Sequence, residues 1–250
     1  MSDFKKRFTD RVEDYVKYRP SYPAALFQFL KDELKIDHKT NIADIGSGTG
    51  ISAKLLLESG AKVFAVEPNE NMRMVAEKDL CKYPDFVSVE GSAEQTHLPD
   101  ESIDIIVCAQ AFHWFANEQT QAEFKRILKK DSSVVLIWND RDETDAFQAA
   151  YEKIIQQYNT DYNRVAHKNI TDERIQQFFG TALKKYVYTY EQLFNFVGLI
   201  GRITSSSYMP QKDSQNFQEM QTEVRNIFEK YAQNNQIVFR YTTRVFIMKF

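Results

Sequence analysis

Apolar residues fall in short, nearly unbroken runs through the first half of the chain: NIADI at 41–45, KVFAVE at 62–67, FVSVE at 86–90, IDIIVCAQ at 103–110 and SVVLIW at 133–138. Runs this short and continuous predict strands covered on both faces. Between them, ISAKLLLES, NENMRMVAEKDL and EQTQAEFKRILKK space their apolar residues at helical intervals, the last with Phe124, Ile127 and Leu128 on one side. Strands alternating with helices predict βαβ units, and hence a parallel sheet. Beyond residue 140 the alternation ends. Phe147, Ala150, Tyr151, Ile154 and Tyr158 form a helical stripe, KKYVYTY at 184–190 reads as a strand, and Phe217, Met220, Val224, Ile227, Phe228 and Tyr231 form a second stripe. Odd positions from 237 to 247 are Ile, Phe, Tyr, Thr, Val and Ile, the period of two of a last strand. Two late strands separated by helices join such a sheet with at least one antiparallel. The expected organisation is one α/β domain over 1–250, doubly wound, with an N-terminal lid or helical segment at 1–40, a ligand-binding core at 41–140 and a helical insertion at 191–236.

The first predicted strand runs into IADIGSGTGIS, which sets Gly46, Gly48 and Gly50 between a strand and a helix. Missing Cβ atoms let a ligand meet the backbone there, and the helix start offers free N–H groups; the plain alternative is a tight turn. The next strand ends in Glu67, followed by Pro68, where nucleotide-binding folds put a carboxylate on the ribose hydroxyls; capping of the following helix is its alternative. Loop and acid together point to a nucleoside-containing ligand. GTGISA at 48–53 also satisfies the Gly-x-Gly-x-x-Ala dinucleotide pattern, so an NAD(P)-dependent oxidoreductase stays open. Against it stands Asp44, which repels a pyrophosphate and attracts an ammonium group. The small residues and Glu94 after the third strand, and the late antiparallel strand, point the same way.

At these residues the chain resembles the class I S-adenosylmethionine-dependent methyltransferases, whose first motif reads acid-x-Gly-x-Gly-x-Gly, here Asp44 to Gly50. The resemblance covers 41–140 strongly and implies a Rossmann-like methyltransferase fold: a mostly parallel seven-stranded sheet with an antiparallel C-terminal strand. It implies S-adenosyl-L-methionine as cofactor, with Gly46, Gly48 and Gly50 at the methionine portion, Glu67 and Pro68 at the ribose, Ala93 and Glu94 at the adenine edge, and Gln110 beside the methionine portion. FTDRVEDYVKYRPSYP, AQAFHWF and YTTRVF are similar to segments of the small-molecule group that includes trans-aconitate methyltransferases. That finer resemblance implies a small-molecule acceptor and suggests a carboxylate. A protein that binds S-adenosylmethionine without transferring methyl is the non-catalytic alternative.

Methyl transfer needs a base only where the acceptor carries its proton at neutral pH. His113, just beyond the fourth strand, is the candidate base, with a pocket wall as its other reading. Tyr18 and Arg19, among the tyrosines and prolines of the N-terminal stretch, are candidates for covering the cofactor, by cation–π attraction and by binding a ligand carboxylate. WNDRD at 138–142 could place Asn139 and Arg141 near the acceptor, but it reads first as a solvated turn. His38, His97 and His167 sit in polar surroundings and read as surface.

Composition narrows the classes further. Thirty-two Lys and Arg against 35 Asp and Glu, a net charge of −3, disfavour a nucleic-acid partner. The loop after the fourth strand, AQAF, lacks the Asn/Asp-Pro-Pro-aromatic motif of base-methylating enzymes. No apolar run reaches the length of a membrane span, so no membrane partner is expected and a cytoplasmic location is. Cys81 and Cys108 are too few for a disulfide framework, and no acid, His or Cys spacing suggests a metal.

Overall fold

A computed structural model of the chain describes residues 17–159, 170–206, 208–210 and 214–250. Seven strands form one sheet in the order β3-β2-β1-β4-β5-β7-β6. They are β1 (Asn41–Ile45), β2 (Lys62–Val66), β3 (Phe86–Val89), β4 (Ile103–Ala109), β5 (Leu128–Arg141), β6 (Leu183–Phe194) and β7 (Ile237–Lys249). The first five run parallel and the β5-β7-β6 side is antiparallel, as the pattern predicts. The described helices are α1 (Ala24–Glu33), α2 (Ile51–Glu58), α3 (Glu70–Leu80), α4 (Glu118–Ile127), α5 (Ala146–Tyr158), α6 (Asp172–Phe179), α7 (Phe196–Thr204) and α8 (Gln215–Tyr231). One expectation fails at the end of β5. The strand runs on through Arg141, and Asn139 is buried, so 138–142 is no solvated turn.

Contacts divide the chain into two compact units. The sheet unit comprises Ser21–Trp138, His167–Tyr188 and Thr243–Phe250; the helical unit falls within Met1–Pro20, Asn139–Ala166 and Thr189–Thr242. In the sheet unit, alternate strand residues fill two cores because successive side chains point to opposite faces. Ile42, Ile105, Val107, Val135 and Ile137 pack with Leu26, Leu30, Leu56 and Leu80 from α1, α2 and α3. Ala43, Ile45, Ile106, Cys108, Leu136 and Trp138 pack with Phe124, Ile127, Ile175 and Phe179 from α4 and α6. Within the stretch expected as a lid, α1 and Tyr22 belong to the first of these cores. The helical unit has a core of its own, in which Phe147, Tyr151 and Ile155 of α5 meet Met220, Val224 and Phe228 of α8 and Phe239 of β7.

Six of the described helices begin on a side chain that satisfies a backbone N–H: Asn69 for α3, Asn117 for α4, Asp145 for α5, Thr171 for α6, Asn195 for α7 and Ser214 for α8. Each such cap stabilises its helix by about 1 kcal/mol. Among the described residues, no helix is long and apolar enough to cross a membrane.

Candidate functional site

The carboxyl ends of β1, β2, β3 and β4 lie side by side, and the sequence candidates of the sheet unit follow directly from them. After β1 the chain passes through Gly46, Gly48 and Gly50 at φ 71°, 57° and 84°, three left-handed positions before α2 begins. That path turns backbone N–H groups onto the end of β2. Gly46 and Ser47 donate to the Val66 carbonyl at 2.9 and 3.2 Å, and Gly48 donates to Glu67 Oε2 at 3.0 Å. The other Glu67 oxygen accepts the Asn69 N–H at 2.8 Å. Buried Glu67 therefore ties the glycine loop to the start of α3, while the cap of α3 is the Asn69 side chain.

A Cβ on Gly46 would stand 2.8 Å from Ala111 Cβ and 3.4 Å from the Phe115 ring, and one on Gly50 would stand 2.8 Å from Leu80 Cδ1. At these two glycines the close approach is to the protein's own side chains. The Gly46 contact holds the loop against the segment that follows β4, the one carrying Gln110 and His113.

Asp44, in β1, is fully buried. Its Oδ2 accepts the Ser52 hydroxyl at 2.7 Å, while Oδ1 is buried with no hydrogen-bond partner. Burial pushes the carboxyl up to about 7, with the Glu67 charge adding to the rise and the Ser52 hydrogen bond opposing it. An orphaned carboxylate oxygen, costly to leave unpaired, fits a ligand ammonium. S-adenosylmethionine carries one on its methionine portion, so the residues present suit that cofactor. Ser52 was not anticipated. Its place in the first turn after the glycines is the signal that marks it.

Two further loops complete this edge. After β3, Ser92 and Gln95 exchange backbone hydrogen bonds at 3.0 and 3.2 Å, bracketing buried Ala93 and half-buried Glu94. Glu94 Oε1 accepts from Asn117 Nδ2 at 3.0 Å. The loop is pinned by Thr96, whose N–H and hydroxyl both donate to Glu123 Oε1 at 2.7 and 2.6 Å. Burial alone would raise Glu123, but hydrogen bonds from Arg126 and Thr96 hold its carboxyl down at about 2. Glu123 lies on α4, far from the loop in sequence, and nothing local in the chain announces it.

Gln110 follows β4 at φ 58°, an uncommon conformation for a residue with a side chain, and its N–H donates to the Ile137 carbonyl at 2.8 Å. Strain of this kind costs about 1–3 kcal/mol and gathers at ligand sites. His113 lies in the short 3₁₀ turn Phe112–Trp114, half-buried, with its ring 4.8 Å from that of Trp114. Trp138 Nε1 donates to His113 Nδ1 at 3.4 Å. An imidazole accepting at Nδ1 carries its proton on Nε2 when neutral.

Tyr18 and Arg19 belong to the helical unit. The Tyr18 ring lies flat against Gly201 of α7, leaving no room for a Cβ there. Arg19 Nη2 donates to the Ser205 carbonyl at 3.2 Å, and the Arg19 carbonyl accepts from Gln192 Nε2 at 3.4 Å. Of the other histidines, His38 and His97 are exposed; His167, like Tyr15 of the N-terminal stretch, lies outside the described residues. Cys108 is buried, and burial, followed by the Asp44 charge, pushes its thiol well up, so it behaves as an inert core residue. Among the described residues no group of three or more His, Cys, Asp or Glu is placed to hold a metal ion.

Several known proteins are similar to this chain. Residues 43–136, from β1 into β5, match the family model described as a methyltransferase domain. A methyltransferase-like protein of Schizosaccharomyces pombe is 36% identical over 157 residues, 62% of this chain and 60% of that protein. A second methyltransferase of the same organism is 28% identical over 245 residues, 95% of this chain and 94% of that one. The match to a Mycobacterium tuberculosis methyltransferase, 34% identical over 141 residues, spans 55% of that protein, so some relatives are matched over little more than half their length. Among solved structures, one from Anaeromyxobacter dehalogenans assigned as a type II methyltransferase superposes with a TM-score of 0.64 at 19% identity, covering 93% of this chain and 98% of its own.

Proposed function

We propose, from the premise that residues 43–136 form a methyltransferase domain of the class I, S-adenosylmethionine-dependent kind, that the whole chain transfers a methyl group from that cofactor to a small-molecule acceptor. The observation that carries the reading is the buried, unpartnered Oδ1 of Asp44 beside the glycine loop. A pyrophosphate brought there meets a carboxylate and is repelled. An ammonium group neutralises it, which favours the methionine-bearing cofactor over NAD(P).

The cofactor supplies an electrophilic methyl on a sulfonium, and in-line attack by an acceptor lone pair breaks the carbon–sulfur bond with its electrons going to sulfur. The chain's residues bind and orient. In this reading Asp44 takes the ammonium, the loop from Gly46 to Gly50 bounds the methionine portion, and Glu67 with Pro68 meets the ribose. Ala93 and Glu94 border the adenine, and Gln110 stands by the methionine portion. Alignment in a site that excludes water is enough for much of the rate.

Titration calorimetry with S-adenosylmethionine, S-adenosylhomocysteine, NAD and NADP tests the cofactor. Binding of both adenosyl ligands and of neither nicotinamide is expected; the reverse pattern overturns the reading. A metabolite screen for S-adenosylhomocysteine release then separates transfer from mere binding.

His113 is read as a wall and positioning residue. A general base contributes about 10²–10⁴-fold, and only where a proton must leave. With Nδ1 accepting from Trp138, and with an acceptor already ionised at neutral pH, His113→Gln should cost much less than a hundredfold in single-turnover transfer at saturating acceptor. A larger loss with unchanged acceptor affinity makes His113 the base.

A further inference from the structure

Away from the glycine loop, the helical unit buries a second concentration of charge. Arg202 lies in α7 between Gly201 and Ile203, inside an otherwise apolar helix, and is only 4% exposed. Its Nε donates to the Tyr241 hydroxyl at 3.1 Å and its Nη1 to Ser205 Oγ at 3.4 Å, and its guanidinium carbon lies 5.9 Å from the Phe239 ring centre. Both hydrogen-bond partners are neutral. Ser205 Oγ spends its own proton on the Arg202 carbonyl at 2.7 Å, so it only accepts. A buried guanidinium without a carboxylate is expensive, and among the described residues Arg202 has none.

A second observation is independent of the first. The Tyr151 hydroxyl on α5, fully buried, has no hydrogen-bond partner, and the charges of both Arg202 and Arg141 act on it. Arg141 closes β5 and grips Glu152 through Nε and Nη2 at 2.9 and 2.6 Å. Tyr208, half-buried, feels the same charges: burial would raise its hydroxyl, yet Arg141, Arg19 and Arg202, with a hydrogen bond from Ser206, set it below the ordinary tyrosine value. The Tyr151 ring packs edge-on against the Phe239 ring, centre to centre 5.1 Å, and the Arg202 guanidinium faces that same ring, so the uncompensated charge and the orphaned hydroxyl meet at one aromatic side chain.

We propose that Arg202 and Tyr151 form a carboxylate-binding site in the helical unit, which holds a carboxylate of a small organic acid. The planar fork of a guanidinium matches the two oxygens of a carboxylate, and the Tyr151 O–H supplies one further donor. A phosphate, with three or four oxygens, calls for more donors than this pair provides. The binding site does not depend on the methyl-transfer reading.

Calorimetric titration of the full chain with citrate and succinate tests the site, with inorganic phosphate as the competing anion and S-adenosylhomocysteine as a separate arm. The wild type should bind at least one carboxylate. Arg202→Met should weaken that binding at least about thirtyfold while melting, unliganded, no lower than the wild type, because an apolar side chain of similar volume replaces an uncompensated charge. Arg202→Lys should restore binding in part. Tyr151→Phe removes an unpartnered hydroxyl, so it folds as the wild type does and should lower carboxylate affinity about three- to tenfold. Cofactor binding should be unchanged throughout. Absence of any carboxylate binding to the wild type, equal binding of phosphate, or unaltered carboxylate affinity in the Arg202→Met and Tyr151→Phe variants overturns the site. Carboxylate binding without any response to S-adenosylhomocysteine leaves the site standing and removes the methyl-transfer reading instead.

Discussion

Asp44→Asn should weaken S-adenosylhomocysteine binding at least about a hundredfold, the scale of losing one member of a buried charge pair, while leaving the unliganded protein more stable than the wild type at neutral pH. Both halves follow from the buried carboxyl whose Oδ1 has no partner. Its ordinary pKa is near 3.8 and burial sets it at about 7 in the fold. An acid whose pKa rises on folding favours the fold fully below its unfolded pKa, and the advantage is lost as pH climbs through the folded value. The unliganded wild type should therefore lose a few kcal/mol between about pH 4 and pH 7, and Asp44→Asn should lack that decline. Ligand affinity runs the other way. An ammonium needs the ionised carboxylate, so the wild-type dissociation constant should be flat above pH 7 and rise about tenfold per unit below it. Titration calorimetry and thermal unfolding across pH 5–8 check both. A variant that binds like the wild type, or a pH-independent wild-type affinity, removes Asp44 from the cofactor site.

Gly46→Ala should destabilise the chain by about 3 kcal/mol. Two separate costs meet at this residue. At φ 71° the backbone is left-handed, which costs a side chain about 1 kcal/mol or more, and the new methyl would stand 2.8 Å from Ala111 Cβ. Neither carbon is the end of a flexible side chain, so the overlap is relieved only by moving backbone, at about 1–3 kcal/mol. Gly180→Ala is the control, since Gly180 has φ 66° but nothing within 4 Å of the added atom. It should lose only the backbone term, about 1 kcal/mol. Urea unfolding of both variants measures the difference, and equal losses would show that the Ala111 contact carries no weight.

The strands of the sheet unit were legible because each is buried on both faces and reads as a continuous apolar run. β1 matches its predicted run from Asn41 to Ile45. β5 was read short because its first residues, Lys129 to Ser132, are polar, and its last ones carry side chains that are satisfied by distant partners. Arg141 pairs with Glu152 on α5. The motif from Asp44 to Glu67 was legible because its acid, its three glycines and the acid that ends the next strand stand at fixed spacings along the chain. What the sequence concealed depends on long-range pairing. Glu123 holds Thr96 across 27 residues, and Arg202 finds Tyr241 across 39. The one local trace of the latter is a charged residue on the apolar side of α7, beside Leu199 and Ile203. The purpose of bare backbone at Gly46 was likewise hidden, because Ala111 reaches it only in the folded sheet.

The place of β7 between β5 and β6 sets a timetable for synthesis. Among the described strands β6 has β7 as its one neighbour in the sheet, although the ribosome makes β6 before β7. Val245, Phe246, Ile247 and Met248 of β7 also fill both cores of the sheet unit. Until those residues clear the exit tunnel, β6 is a strand without a partner, β5 is an open edge of the kind that invites pairing with another chain, and both cores are incomplete. The glycine loop, by contrast, has emerged with its parallel neighbours long before. A nascent chain therefore carries its glycine-loop edge early and an aggregation-prone edge until β7 follows.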